Sequence, residues 1–324
     1  MKHIVILVPT QTSILDVTGP LEVLTKSNEY FSKLNNDNKQ YYKCHLISMD
    51  EQTIVSTTSG MPIITEGGIS SIYYPIDTII VAGRGKYIQN APEEIIIWLK
   101  KISKKNAVKR ITSVCAGAFI LAEAGLLDKR RATTHWLLCD ELAKRYPSIL
   151  VEKEPIYIKD GNVYTSAGIS TGIDLTLALV EEDLSRIIAM NVAKLLVLYI
   201  KRPGNQSQFS PVLMAQTTEY GPIAKVMEWV QQNLQSDLSV ENLAEIAHMS
   251  NRNFSRIFSK EIGVSPAKFV EKTRVEAARR LMEESDFNLE QISSICGLSN
   301  ANGLRRLFHR HLATTPGLYL KNFG

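Results

Sequence analysis

Cys115 sits where a short β-branched run gives way to Ala and Leu at helical spacing, in "ITSVCAGAFILAEAGLL" (residues 111–127). A strand that turns sharply into a helix points the turn residue outward, among backbone N–H groups and the positive end of the helix. Two chemistries fit that placement: a thiol whose pKa is lowered into the range of a nucleophile, and an anion pocket in which no bond is made or broken. The neighbours have to decide between them. Asp16 follows the first apolar run and either caps a helix starting near Gly19 or contacts a ligand. His135, in "TTHW", either starts a helix or approaches the mouth of the pocket. Gly83 and Arg84, in "VAGRGKY", leave another strand, and open α/β sheets bind ligands in such loops. Arg84 there either clamps a carboxylate with both arms of its guanidinium or is solvated.

The elements that must position these groups alternate along the first two hundred residues. "HIVILV", "KCHLISM", "TIIVA" and "RITSV" are buried-strand runs, and "PLEVLTKSNEYFSKL" and "EEIIIWLKKISKK" show helical periodicity between them. The pattern predicts a mostly parallel α/β sheet with helices on both faces. Asp160-Gly161 predicts a hairpin turn. After Ile200 the pattern lapses into "KRPGNQSQFSPVLMAQTTEYGP", where the linker is placed.

A chain of 324 residues is long for one core, so two domains are expected. Cys44, Cys115, Cys139 and Cys296 lack the spacing of a disulfide framework or a metal site, which points to a reducing cytoplasm and to no metal. The apolar start is too short for a signal peptide, and the most apolar helix candidate, "LSRIIAMNVAKLLVLYI", carries Arg186 and Lys194, so no membrane association is expected. Residues 1–214 hold 24 Lys+Arg against 21 Asp+Glu, and residues 215–324 hold 13 against 12. Neither half is a basic tail, so nucleic-acid binding has to come from local patches.

The last hundred residues read as helices, and they repeat. "SRIFSKEIGVSPAKF" (255–269) matches "RRLFHRHLATTPGLY" (305–319) at an offset of fifty, and "IAHMSN" (246–251) matches "ICGLSN" (295–300) at forty-nine. Each copy is a helix, a short turn and a second helix, the arrangement that places the second helix in a DNA major groove. The connecting segment has Ser265 as N-cap, Pro266 at N1 and an apolar stripe through Phe269, Val270, Ala277 and Leu281. Inward packing of Phe254, Ile257 and Phe258 turns Arg252, Ser255 and Arg256 outward. Inward packing of Leu304, Leu307 and Phe308 leaves Asn302, Gly303, Arg305 and Arg306 for DNA.

Residues 218–324 resemble the DNA-binding domain of AraC/XylS-family transcription regulators, through "LAEIAHMSNRNFSRIFSKEIGVSPAKFVEKTRVEAARRLM" and the weaker "ISSICGLSNANGLRRLFHRHLATTPGLYL". In the second copy Ala313 stands where a helix-terminating Gly is usual and Leu320 where an Arg is usual, which implies a looser second reader. The first two hundred residues resemble the PfpI-like, class I glutamine-amidotransferase-like superfamily, through "LDVTGPLEVL", "SVCAGAFILAEAGLL", "RRATTHW" and "YTSAGISTGIDLTLALVEE". That resemblance implies a flavodoxin-like sandwich. Together the halves are similar to GlxA-type regulators, whose linker motif "RPGNQSQF" (202–209) also resembles. In catalytic relatives the elbow cysteine works with an acidic residue, a role that Asp16 fits, and with a His or hydroxyl residue directly after it. Ala116 occupies that position here.

The resulting expectation is a cytoplasmic, sequence-specific regulator of transcription. Residues 1–200 would sense a small-molecule effector, with Asp16, Gly83, Arg84, Cys115, Ala116 and His135 at the pocket. Residues 201–217 would link it to a domain over 218–324 that binds double-stranded DNA. No catalytic residue and no cofactor are assigned. PfpI-like domains commonly pair, which implies a homodimer through the N-terminal domain. The competing reading is a PfpI-like, Cys115-dependent enzyme, of hydratase or hydrolase type, that also binds DNA.

Overall fold

A computed structural model describes residues 1–36, 38–84, 91–104, 108–198, 204, 208, 221–312 and 314–323. The chain divides into two compact units, Met1–Gln208 and Phe209–Gly324. Most of the expected linker, and the turn at Ala313, lie outside the described residues.

The first unit runs β1 (Lys2–Val8), α1 (Ile14–Asn35), β2 (Tyr42–Ser48), β3 (Ile54–Ser56), β4 (Pro62–Ile64), β5 (Thr78–Val81), α2 (Glu93–Lys104), β6 (Arg110–Val114) and α3 (Gly117–Glu123). It continues through β7 (Arg131–Ala132), α4 (Cys139–Arg145), β8 (Leu150–Val151), β9 (Tyr157–Asp160), β10 (Val163–Ser166), α5 (Ser170–Asp183) and α6 (Arg186–Leu195). The central sheet has the order β2-β1-β5-β6-β10-β9 and is parallel except for the β9–β10 hairpin. Gly161, at a φ of 62°, makes the hairpin turn as expected.

Strand β1 shows why the apolar runs are continuous. Successive side chains point to opposite faces, and both faces are covered. Ile4, Ile6 and Val8 pack with Val17, Val23, Leu177, Val180 and Val192 of α1, α5 and α6. Val5 and Leu7 pack with Ile95, Leu99, Phe119 and Leu121 of α2 and α3. Connections from β1 go to β2 on one side, and the chain then returns to β5 on the other. That reversal opens a crevice at the carboxyl ends of β1, β5 and β6.

Helix α1 begins at Ile14, with Ser13 as N-cap, rather than near Gly19, and Pro20 lies inside it. Asp16 is therefore in the first helical turn and not a cap. The apolar stretch 184–200 contributes the ten-residue α6, and no described helix is long and apolar enough to cross a membrane.

The second unit is helical: α7 (Pro222–Gln232), α8 (Val240–Ile246), α9 (Asn251–Ile262), α10 (Pro266–Glu284), α11 (Leu289–Ile295), α12 (Ala301–Leu312) and α13 (Pro316–Phe323). Helices α8–α9 and α11–α12 are the two repeats, and α10 joins them. Ser265 caps α10 by accepting the Lys268 N–H at 3.3 Å. Its buried residues include Phe269, Val270, Val275, Ala278 and Met282, with Thr273 and Arg279, whereas Ala277 and Leu281 are half-buried. Phe254, Phe258 and Phe269 pack against Val226, Met227 and Val230 in the first repeat. Phe308 meets Tyr319 edge-on in the second.

Candidate ligand pocket and nucleic-acid interface

Cys115 adopts a φ of 56°, the left-handed region. Its N–H donates to Ser166 O at 3.1 Å, prolonging the sheet ladder by one residue before α3 begins. A non-glycine residue there costs about 1 kcal/mol and persists only where the surroundings enforce it. Two glycines pressed against Cys115, Gly83 and Gly168, and a third, Gly117, pressed against β5 supply the enforcement. A Cβ on Gly168 would lie 2.2 Å from Cys115 Cβ, and one on Gly117 would lie 2.2 Å from Val81 O. A Cβ on Gly83 would meet Ala116 N at 2.8 Å, Asp16 Oδ2 at 2.9 Å and Cys115 Cβ at 3.1 Å. Asp16, Gly83, Cys115 and Ala116 thus converge within one side chain's breadth.

Asp16 is 1% exposed. Its Oδ1 accepts the Ile169 N–H at 2.8 Å, while Oδ2 has no hydrogen-bond partner among the described residues. Burial raises its pKa to about 6, and the nearby Ile169 and Gly83 amides and the Cys115 thiol pull it back only in part. The Cys115 pKa is raised as well, first by burial and then by the negative charge of Asp16, so the thiol is protonated at neutral pH. A resting nucleophile needs the reverse. Ile169 itself has a φ of 52°, an uncommon conformation for a β-branched residue.

His135 starts a short 3-10 turn, Trp136–Leu138, its Nδ1 accepting the Leu137 N–H at 3.4 Å, and burial lowers its pKa. The contact joining this segment to the elbow comes from the residue before it: Thr134 Oγ1 donates to Cys115 O at 2.8 Å. Gly83 is pinned by Thr12 Oγ1, which donates to its carbonyl at 2.8 Å. The guanidinium of Arg84 is engaged with Asp50, Nη2 lying 3.0 and 3.2 Å from the two carboxylate oxygens. Backbone at Gly83 therefore faces the pocket, and the Arg84 side chain holds the loop. Among the described residues no group of three or more His, Cys, Asp or Glu could hold a metal ion. Sequence reasoning missed Gly168, Ile169 and Thr134. Only Gly168, a turn residue ahead of a helical pattern, carried a signal.

On the second unit, Arg252 and Arg256 of α9 are exposed and Ser255 is half-exposed; on α12, Asn302, Arg305 and Arg306 are exposed and Gly303 is half-exposed. Each helix holds one arginine by an asparagine one turn earlier. Arg256 Nη2 donates to Asn253 Oδ1 at 3.0 Å, and Arg305 Nη1 to Asn302 Oδ1 at 2.7 Å. Asn253 was not found from sequence. A Cβ at Gly303 would meet only ordinary contacts, the nearest Leu298 Cβ at 3.7 Å, so no internal clash demands glycine there. Glu271 of α10 ties down the end of α12 by bonding Arg310 and, at 2.8 Å, His311 Nε2. In the turns, His248 has a φ of 54° where the second repeat has Gly297 at 69°.

Comparison with known proteins places these units. The DJ-1/PfpI family profile matches residues 2–182, and that of a helix-turn-helix domain matches residues 243–322. The HTH-type transcriptional regulator CdhR of Pseudomonas aeruginosa is 26% identical over 304 residues, which span 94% of this chain and 87% of that protein. The isonitrile hydratase of Pseudomonas putida is 29% identical over 196 residues, 59% of this chain and 74% of that enzyme. The crystal structure of an AraC family transcriptional regulator from Pseudomonas putida superposes with a TM-score of 0.53 at 18% identity, over 60% of this chain and all of that one, a likeness of fold.

Proposed function

We propose that this chain, which belongs to the DJ-1/PfpI family and continues into an AraC-type helix-turn-helix domain, is a sequence-specific DNA-binding regulator of transcription whose α/β unit senses a small metabolite at the Cys115 elbow. The observation that carries the DNA half is the duplicated helix-turn-helix with exposed Arg and Asn on both second helices, joined by the 19-residue α10. Arg and Asn suit bidentate contacts to base edges. Two readers on one rigid helix address major-groove segments roughly one turn, about 34 Å, apart. The name of the relative that spans most of this chain supports the same reading.

The sensing half rests on Asp16 Oδ2, a buried carboxylate oxygen without a hydrogen-bond partner among the described residues, beside Gly83, Cys115 and Ala116. A ligand that donates to it recovers what burial costs. Asp16, Gly83, Cys115, Ala116 and His135 are the proposed pocket residues, and the protonated thiol acts as lining. A homodimer through the first unit is part of the proposal.

Selection of duplexes from a random-sequence DNA library by the full chain tests the DNA half: convergence on two short blocks about one helical turn apart supports it, and no enrichment overturns it. A thermal-shift screen of small metabolites tests the sensing half, since a ligand at 100 times its Kd adds about 2.7 kcal/mol. The strained Cys115 beside an acid, together with the hydratase relative, favours a second reading as a Cys-dependent enzyme. Sustained turnover of an isocyanide that is lost in Cys115→Ala would establish that reading instead.

A further inference from the structure

Two residues of the segment that leaves the α/β unit are fastened to a surface adjoining the elbow. The Tyr157 N–H donates to Gly204 O at 3.2 Å, and the Gln208 N–H to Glu154 O at 3.0 Å. The Gln208 side-chain amide faces three acceptors: Thr134 O at 3.0 Å, Thr133 Oγ1 at 3.2 Å and Pro155 O at 3.3 Å. Gly204 is needed as glycine, because a Cβ on it would lie 2.5 Å from the Tyr157 ring and 2.7 Å from Tyr157 O. A close backbone approach at one end and a multiply bonded amide at the other make this a built contact. Casual lying of a chain on a surface would need neither.

The receiving residues are the same ones that brace the pocket. Thr133 and Thr134 are fully buried. The Thr133 N–H donates to Thr165 Oγ1 at 2.9 Å, and Thr134 Oγ1 donates to Cys115 O at 2.8 Å. Thr134 therefore touches the exit segment through its carbonyl and the elbow through its hydroxyl. Both threonines being fully buried, a shift of either partner is passed on to the other.

We infer that the surface formed by Thr133, Thr134, Glu154, Pro155 and Tyr157 is a docking site for this chain's own exit segment at Gly204 and Gln208, and that docking is coupled to the state of the Cys115 pocket. The docking stands on the contacts alone. The coupling rests on the proposed sensing role, which it deepens by naming the segment through which pocket occupancy is passed on. Linkage requires the effect to run both ways: releasing the segment alters the pocket, and filling the pocket alters the segment.

The test uses the full chain and one probe, iodoacetamide, with mass spectrometry reading both Cys115 alkylation and amide deuterium exchange in peptides covering residues 154–160 and 204–210. Gly204→Ala and Gln208→Glu act on opposite ends of the contact. Each is expected to speed exchange of the Tyr157 and Gln208 amides at least tenfold and to change the Cys115 alkylation rate at least threefold, in the same direction. Wild-type protein alkylated at Cys115 is expected to exchange the Gln208 amide at least tenfold faster than unmodified protein, an arm that needs no variant. An unprotected Gln208 amide in unmodified wild type, or unaltered exchange in both variants, overturns the docking. Release in the variants with an unchanged alkylation rate, or unaltered exchange after alkylation, overturns the coupling. Neither readout involves DNA or an effector, so failure here leaves the regulator reading to the library selection.

Discussion

Gly168 lies so close to Cys115 that a methyl group on it would sit 2.2 Å from the cysteine Cβ, and its own φ of +95° is one that L side chains rarely adopt. The glycine is what allows the strained elbow and the strained Ile169 to be neighbours. Gly168→Ala adds overpacking of about 1–3 kcal/mol to a left-handed penalty of about 1 kcal/mol. The α/β unit should lose roughly 2–4 kcal/mol, read from urea unfolding followed by tryptophan fluorescence. An unchanged midpoint would show that the elbow is not held by this contact.

Asp16 makes stability depend on pH in an identifiable window. Its carboxyl holds a proton up to about 6 in the folded chain against an ordinary 3.8. Between those values the folded state binds more protons than the unfolded one, so stability falls as pH rises and the loss is complete above about 6. The shift corresponds to about 3 kcal/mol at most. Asp16→Asn keeps an oxygen for the Ile169 N–H and removes the titration. The variant should gain on wild type from nothing below about pH 4 to roughly 2–3 kcal/mol at pH 7. Parallel stability profiles from pH 4 to 8 would refute the assignment.

Burial and the Asp16 charge together hold the Cys115 thiol in its protonated form. Alkylation by iodoacetamide at pH 7.5 should be more than about tenfold slower than for free cysteine, and Asp16→Asn should speed it several-fold by removing the charge. Cys115→Ala should leave DNA binding of the unliganded protein intact. Fast alkylation in wild type would instead mark an activated nucleophile.

The left-handed residue in the first helix-turn-helix is His248, where the second repeat has Gly297. His248→Gly relieves about 1 kcal/mol of backbone strain and gives back part of it as chain entropy in the unfolded state. A net gain of roughly 0.5–1 kcal/mol should appear in thermal unfolding of the second unit. A loss would mean that the His248 side chain is needed in the turn.

At the DNA interface, Arg256→Ala should cost about 1–3 kcal/mol and relax preference at one or two base pairs. Arg306→Ala should weaken binding more evenly across sequences and lower the slope of log affinity against log salt by about 1. Salt titrations on library-selected duplexes separate the two. Base preference that follows Arg306, with only the salt slope following Arg256, would reverse the roles.

The six strands of the central sheet with the Asp160-Gly161 hairpin, the repeat and the outward faces of both second helices were legible in the sequence, because each is written in local periodicity or a turn residue, whereas the short strands β3, β4, β7 and β8 were not. What stayed hidden depended on residues far apart in the chain. The first helix reads as starting near Gly19, yet α1 begins at Ile14 with Pro20 inside it. Arg84 reads as either a ligand clamp or a solvated side chain, yet it is bonded to Asp50, 34 residues away. Ile169 carries no mark of strain, and the carboxylate that bonds it is 153 residues upstream. Gln208 reads as linker, yet its amide rests on Thr133, 75 residues back. Local pattern decides which segments are strands and helices and which face each buries. The order in which strands assemble decides which loop ends meet at the crevice, and only that assembly brings Asp16, Gly83, Cys115 and Gly168 together at one site.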